Sequence, residues 1–140
     1  MPTMQENLEQ LKQEFAEFED GFERYAYLVE LAALLPQYPE NFRSPEYLVR
    51  GCQSQVWLHP FTQEGLFFID ADSDTLIIKG ALLILHDLLN GVPLRDAAVV
   101  SLDVLGELGL MSVFSDTRQR GIRSAVEMLK EYAQDQLCGV

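Results

Sequence analysis

The apolar segment LIIKGALLILHDLLN constrains the fold of this chain more than any other stretch of its sequence. It predicts a long helix from Asp74 to about Asn90. The apolar positions lie on nearly every side of that helix: Leu76, Ile77, Ile78, Leu82, Leu83, Ile84 and Leu85. A helix that is apolar all round has to be covered by other elements, so we predict that it is the buried centre of the fold. Asp72 or Ser73 is expected to cap its start, and the Asn90-Gly91 pair to end it.

Two helices are predicted before this central segment. Thr3 and Glu6 have the spacing of a capping box, so a helix is expected to start there. An apolar stripe that we expect to face the core recurs every three or four residues after them: Leu8, Leu11, Phe15, Phe18 and Phe22. A second helix is predicted from about Asp20 to Leu35, where Pro36 ends it.

A hairpin is predicted between the second helix and the central one. The segment 36–45 contains three prolines and is expected to form a loop, with Ser44 capping a short helical piece at its end. Strands are predicted at 53–61 and 66–70, and a turn at 62–65 joins them. The two strands should therefore pair antiparallel.

Helices also make up the rest of the chain. Pro93 is expected to open a short helix, the leucines between 102 and 108 indicate another, and an amphipathic stretch from Thr117 to about Gln136 predicts the last. The predicted fold class is therefore α+β, with a small antiparallel sheet packed against helices. The length suits one domain that spans residues 1–140.

The charge balance excludes several classes of partner. Asp and Glu number 22 against 10 Lys and Arg, which gives a net charge of −12. Phosphate recognition needs a basic face, so we expect neither nucleic acid nor an anionic membrane as a partner. The N-terminal MPTMQENLEQ lacks the features of a secretory signal, and a cytoplasmic location is expected. Two cysteines argue against a disulfide framework and fit a reducing compartment.

One cysteine lies in an unusual setting, RGCQSQVW. Cys52 follows Gly51 and precedes Gln53, Ser54 and Gln55, a setting typical of neither an apolar core nor a metal-binding knuckle. Residue statistics alone favour a small buried hydrophobic residue for a free cysteine. The setting favours a chemical use, because a glycine permits unusual backbone angles and close approach by another molecule. The polar side chains offer hydrogen bonds without competing as nucleophiles.

Five segments of the chain occur in an order and spacing that point to one family. They are YLVELAALLP at 27–36, RSP at 43–45, GCQSQVW at 51–57, DSDTLIIKG at 72–80 and TRQRG at 117–121. Together they resemble the SufE family and its CsdE relatives, which are sulfur-acceptor proteins of iron–sulfur cluster assembly. The combination of GCQSQVW with DSDxxIxKG is highly specific, and the match runs from the second predicted helix to the last.

The resemblance implies both a function and a fold. Family members bind a pyridoxal-phosphate cysteine desulfurase, take sulfane sulfur from its cysteine persulfide onto their own cysteine, and pass it to a cluster scaffold. The family cysteine maps onto Cys52, and the implied fold is α+β, similar to IscU-type scaffolds. The implied partners are a SufS-like or CsdA-like desulfurase and a scaffold such as SufBCD. Pyridoxal phosphate is expected on the desulfurase, and no cofactor or metal on this chain, which is then a transpersulfidation partner rather than a stand-alone enzyme.

Other residues of these motifs are candidates for supporting the cysteine or contacting the partner. The first group flanks Cys52 and consists of Gly51, Gln53, Ser54 and Gln55. Arg118 matches the arginine of the family's SRxxG motif, and a guanidinium near the sulfur would favour thiolate and persulfide anions. The alternative for Arg118 is a solvated charge at the start of the last helix. Asp74 and Lys79 match DSDxxIxKG, although Asp74 is equally explained by the helix dipole.

Four other functions remain open from the sequence. A CsdE-like carrier would deliver sulfur to another acceptor, and the shared motifs do not separate it from SufE. A thiol-dependent enzyme acting on a small molecule needs a base beside Cys52, and no local pattern places His59 or His86 there. A cluster scaffold needs about three or four thiolates or equivalent ligands, more than Cys52 and Cys138 supply. A plain protein-interaction module would make no use of the thiol.

Overall fold

The computed structural model describes residues 2–51 and 54–139. Its elements follow the chain in this order: helices α1 (Met4–Phe15) and α2 (Gly21–Leu31), strands β1 (Val56–Gln63) and β2 (Leu66–Ser73), helix α3 (Leu76–Leu89), strand β3 (Val92–Pro93), and helices α4 (Leu94–Ala97), α5 (Asp103–Glu107) and α6 (Asp116–Leu137). Short 3-10 turns occur at 32–34, 40–42, 45–47 and 111–113. The predicted α+β class is confirmed.

Helix α3 forms the buried centre that its all-round apolar sequence predicts. The buried residues of this helix are Ile77, Ile78, Gly80, Ala81, Leu82, Leu83, Ile84, Leu85, Leu88 and Leu89. It packs against α1, α2 and strand β2. The helices and the sheet therefore share one core, with α3 in contact with both.

The start of α3 differs from the prediction. Pairing with β1 continues to the end of β2, so Asp72 and Ser73 are held in an extended conformation and neither caps the helix. Thr75 occupies the N-cap position instead, and its side chain makes no capping hydrogen bond. The predicted end is confirmed, since Gly91 adopts a left-handed φ of +84° directly after it.

The predicted hairpin is confirmed and is longer than expected. Strands β1 and β2 pair antiparallel along their whole length. Only Glu64 and Gly65 remain for the turn, and both have positive φ, +54° and +78°, as a two-residue hairpin turn of this kind requires. Strand β1 starts at Val56 rather than at residue 53. The sheet order is β1-β2-β3, and the two-residue strand β3 is too short to give the period-two pattern that predicts a strand.

The capping box at Thr3 and Glu6 is confirmed, but the predicted apolar stripe from Leu8 to Phe22 does not continue along one helix. Helix α1 ends at Phe15, and α2 starts a new helix axis, so the three-to-four spacing no longer keeps later residues on one face. Phe18 is half-buried between the helices. Phe22 is 82% exposed, so the prediction that it faces the core was wrong.

Helix α6 starts one residue before the predicted Thr117. Ser115 is its N-cap, and the Ser115 hydroxyl accepts a hydrogen bond from the Arg118 N–H at 3.3 Å. The helix packs against α4 and β1. Cys138 is the exposed C-cap residue of this helix. Across the described ranges, no helix combines the length and the apolar character needed to cross a membrane.

Candidate functional site

The proline-rich loop before Cys52 is anchored by Arg43. Its guanidinium forms an ion pair with Asp72 at the end of β2 and another with Glu40, at 3.0 Å. The guanidinium carbon also lies 5.0 Å from the ring centre of Tyr38 and 5.8 Å from that of Trp57, within cation–π range. The hydrogen bonds to Asp72 and Glu40 raise the pKa of Arg43, so the charge that holds the loop on the hairpin is permanent.

A backbone pair closes the loop that contains Cys52. The Val49 N–H donates to the Val56 carbonyl at 2.8 Å, and Leu48 forms an antiparallel bridge with Trp57. Val49 and Val56 are therefore held together at the beginning of β1, which fixes the positions at which the segment 50–55 leaves and rejoins the sheet.

Gly51 lies exposed in this loop and has the unusual backbone conformation predicted for it. Its φ is +83°, which L side chains rarely adopt. A Cβ at this position would lie 3.8 Å from the Ser124 hydroxyl oxygen of α6, so the loop passes close to that helix. Cys52 and Gln53, both predicted site residues, lie outside the described residues.

Three residues at the junction of β2 and α3 hold the far end of the loop. The hydroxyl oxygens of Ser54 and Thr75 are 2.6 Å apart. The Gln55 N–H donates to Asp74 Oδ1 at 3.1 Å, and the Gln55 carbonyl accepts from the Ser73 hydroxyl at 2.7 Å. These contacts are termed the loop clamp. Asp74 therefore bonds to the loop itself, in addition to its position before the helix.

Replacing Asp74 by alanine is expected to speed hydrogen exchange at the Gln55 amide about tenfold or more. A hydrogen bond to a charged acceptor contributes about 1.5–3 kcal/mol, and about 1.4 kcal/mol is a factor of ten. Exchange is measured by NMR at that amide. Asp103→Ala is the matched control, because Asp103 is exposed at the start of α5 and takes no part in the clamp. Equal exchange in wild type and Asp74→Ala would show that the clamp does not limit opening of the loop.

Two predicted site residues, Ser54 and Arg118, line the same small cavity between β1, α3 and α6. Its volume is about 20 Å³, which is room for about one water-sized group. The other lining residues are mostly apolar: Val56, Ile78, Ala81, Leu82, Leu85, Thr117, Gly121, Ile122 and Ala125. The fold thus brings together residues of two separate motifs next to the cysteine loop.

Arg118 lies in the first turn of α6 and is half-buried. Its side chain lines the cavity, so Arg118 is not the fully solvated charge that was the alternative interpretation. Among residues 2–51 and 54–139, no acidic side chain forms an ion pair with it. A cation beside an apolar cavity stabilises an anion placed there more strongly than it would in bulk water.

Comparison with known proteins identifies the family. Residues 9–133 match SufE, described as an Fe-S metabolism associated domain. The chain belongs to the SufE family. Membership connects it with iron–sulfur metabolism and with sulfur transfer.

Individual relatives agree with the SufE assignment. An uncharacterized SufE-like protein of Rhizobium etli is 33% identical over 133 residues, covering 91% of this chain and 90% of its own. Another from Rhizobium meliloti is 32% identical over 136 residues, covering 94% and 97%. The solution structure of a hypothetical protein from Thermus thermophilus has the same fold, with a TM-score of 0.80 at 22% identity over 94% of this chain and 96% of that one.

Three other residues considered from the sequence, His59, His86 and Lys79, lie outside the cavity that Ser54 and Arg118 line. His59 bonds to Asp70 through Nδ1 at 2.9 Å, and neither His59 nor His86 lines the cavity. Lys79, from the DSDxxIxKG motif, forms an ion pair with Asp72, with Nζ 3.7 Å from Oδ1. It therefore helps to fix the same carboxylate as Arg43. In the described part of the chain, no group of three or more His, Cys, Asp or Glu side chains could hold a metal ion.

Sequence reasoning missed the clamp partners and the origin of the cavity. A capping role was predicted for Ser73 and no role for Thr75, whereas the hydroxyls of both reach the cysteine loop. The sequence signal for these contacts was the polar run from Asp72 to Thr75, which follows the predicted strand at 66–70. Gly121 and Ala125 lie one turn apart on α6, and such small residues leave space beside a neighbouring helix. Their four-residue spacing was visible in the sequence.

Proposed function

We propose that this SufE protein accepts sulfane sulfur as a persulfide on Cys52, stimulates the cysteine desulfurase that donates it, and passes the sulfur to an iron–sulfur cluster scaffold. The observation that carries the proposal is the cavity lined by both Ser54 and Arg118. Cys52 precedes Ser54 by only two residues in the sequence, which supports a role for this cavity in the chemistry of the family cysteine.

The transfer is an exchange between sulfur atoms without net oxidation. The Cys52 thiolate attacks the outer sulfur of the donor's cysteine persulfide. A new S–S bond forms on Cys52 while the donor's S–S bond breaks, and the donor cysteine leaves as a thiolate. Delivery repeats the exchange, with an acceptor thiolate attacking the outer sulfur and Cys52 leaving. The site therefore has to stabilise a thiolate both as nucleophile and as leaving group.

The surroundings of the cavity suit this chemistry in two ways. The Arg118 guanidinium favours thiolate and persulfide anions over their protonated forms. The apolar walls from α3 and α6 restrict access by water and oxidants, which would otherwise oxidise or remove a persulfide. A cavity of this size leaves room for one small group such as a single sulfur atom.

The partners follow from the chemistry of the family. A SufS-like or CsdA-like desulfurase supplies the persulfide, and pyridoxal phosphate belongs to that enzyme. A scaffold such as SufBCD consumes the sulfur. The chain itself needs only its thiol and the groups around it for both exchanges.

The test is intact-protein mass spectrometry without reductant, after incubation with an active cysteine desulfurase and L-cysteine. Each transferred sulfur adds about 32 Da and is removed again by thiol reductants. We expect this gain on the wild type, its loss on reduction, and its absence from Cys52→Ser.

Cys138→Ser is the matched control for this measurement. It removes the other, exposed thiol, and the gain in mass should persist. A gain that persists in Cys52→Ser but not in Cys138→Ser would assign the acceptor to Cys138. No gain on the wild type, while the desulfurase turns over, would contradict sulfur acceptance.

A further inference from the structure

A chain of three polar side chains leads from the cavity to the protein surface. Ser54 lines the cavity, and its hydroxyl oxygen is 2.6 Å from that of Thr75. The Thr75 hydroxyl in turn donates to Asp74 Oδ1 at 3.1 Å. Asp74 is exposed, so the far end of the chain is in contact with solvent. Ser54, Thr75 and Asp74 are termed the hydroxyl chain.

The hydroxyl chain has a direction, because each hydroxyl carries a single proton. A carboxylate only accepts, and a hydrogen bond to it is charge-assisted, so the Thr75 proton points to Asp74. One proton must lie between the Ser54 and Thr75 oxygens at 2.6 Å, and it therefore comes from Ser54. The Ser54 hydroxyl then has only lone pairs left, and toward the cavity it acts as an acceptor.

An acceptor at the cavity wall favours one protonation state of a sulfur placed there. A thiol S–H is a donor and bonds to the lone pairs of Ser54, whereas a thiolate has no proton to donate and is repelled by them. The negative charge of Asp74 at the end of the chain acts in the same sense. In this direction, the hydroxyl chain favours a neutral thiol.

Arg118 on α6 acts in the opposite sense. It is the charged residue among the described residues that line the cavity, and a guanidinium favours a thiolate. The lining residues from α3 contribute no charge, since they are Ile78, Ala81, Leu82 and Leu85. The balance between thiol and thiolate therefore depends on the direction of the hydroxyl chain.

We propose that the hydroxyl chain holds Cys52 as a neutral thiol between transfers, and that reversal of the chain stabilises the thiolate during sulfur exchange. The inference rests on the proposed function, because it takes Cys52 as the sulfur acceptor at this cavity. On reversal, Thr75 turns its O–H from Asp74 to Ser54, and Ser54 turns its own O–H to the sulfur. Each turn is a rotation about one C–O bond, and Asp74 keeps the hydrogen bond from the Gln55 N–H.

The protons balance over one sulfur exchange. Cys52 gives up its thiol proton to solvent as the thiolate forms, and the donor cysteine, which leaves as a thiolate, takes up a proton. One S–S bond forms and one breaks, so no oxidant or reductant is consumed. The resting thiol also has a protective effect, because the thiolate is the form that oxidants attack.

The test measures how fast iodoacetamide alkylates Cys52 at different pH values, in a Cys138→Ser background that leaves one thiol. The reagent reacts with the thiolate, so the midpoint of the pH profile reports the pKa of Cys52. Thr75→Val frees the Ser54 proton to bond to the thiolate. We expect the midpoint to fall by about one unit, and the rate below the midpoint to rise about tenfold.

A second variant separates this effect from mere loosening of the loop. Ser54→Ala breaks the same hydrogen bond between Ser54 and Thr75, but it leaves no hydroxyl that could donate to the thiolate, so the midpoint should not fall. Loosening alone would affect both variants alike. Thr75 makes no capping hydrogen bond to α3, so valine removes no helix cap.

Two controls accompany these variants. Thr75→Ser keeps the hydroxyl and should restore the wild-type profile. Thr62→Val is the matched control, because it also breaks a contact between two hydroxyls, with Tyr132 at 3.0 Å, and lies outside the cavity. Its profile should equal that of wild type.

The outcomes separate this inference from the proposed function, since alkylation requires no desulfurase. A midpoint that falls with Thr75→Val but not with Ser54→Ala supports the hydroxyl chain. An unchanged midpoint with Thr75→Val, or equal falls with both variants, overturns it, and a mass gain on Cys52 would then leave the proposed function standing. The expected fall without any mass gain supports the hydroxyl chain and contradicts sulfur acceptance.

Discussion

Replacing Cys52 by serine is expected to reduce desulfurase turnover in the presence of this protein to the rate of the enzyme alone, while binding is retained. A serine hydroxyl has nearly the shape of the thiol, so the surface presented to the partner stays the same. It cannot form the S–S bond that takes sulfur away from the donor cysteine. The measurement pairs alanine release from L-cysteine with the Kd of the complex.

This pair of measurements separates the relay from its alternatives. If the protein were a plain interaction module, the Cys52→Ser variant would stimulate the enzyme as well as the wild type does. Cys138→Ser is the control and should stimulate like the wild type, because its thiol is at the exposed end of α6. Cys52→Ala serves as a second variant, since it removes the hydroxyl as a possible new contact. Full stimulation by both Cys52 variants would contradict the relay.

The helical core could be predicted because each signal lies within a few residues. The capping box of Thr3 and Glu6 and the apolar run of α3 specify local structure directly. The errors arose where one element depends on another. Phe22 fits the stripe of α1 by spacing, yet the change of helix axis places it on the surface. Thr75 became the N-cap of α3 because pairing within the hairpin extends through Ser73.

In the candidate site, too, some residues could be predicted from the sequence and some contacts could not. The family motifs indicated Cys52 and Arg118, and their chemistry could be argued from residue type. The loop clamp could not, because it joins Ser54 and Gln55 to residues about twenty positions later, through the register of β1 and β2. The turn and the strand alternation can indicate that register, but they do not indicate which side chains after β2 meet the segment before β1.

Replacing Gly80 by alanine is expected to destabilise the protein by about 2–4 kcal/mol. In an exposed helix interior the same change would stabilise by about 0.8–1.0 kcal/mol, so the predicted sign is reversed. The reason is the 2.1 Å separation between the new Cβ and the Leu28 carbonyl oxygen, which is backbone and has no rotamer to change. Helices α2 and α3 would have to move apart, and Leu28, which is fully buried, would lose packing. Urea unfolding measures the change.

Gly106→Ala is the matched control for this prediction. Gly106 is also helical, in α5, but a Cβ there would meet only the Met111 side chain, at an ordinary 3.6 Å. This variant should keep the stability of wild type or gain up to about 1 kcal/mol, as helix propensity alone predicts. If Gly80→Ala were also neutral or stabilising, the close contact between α2 and α3 would be contradicted.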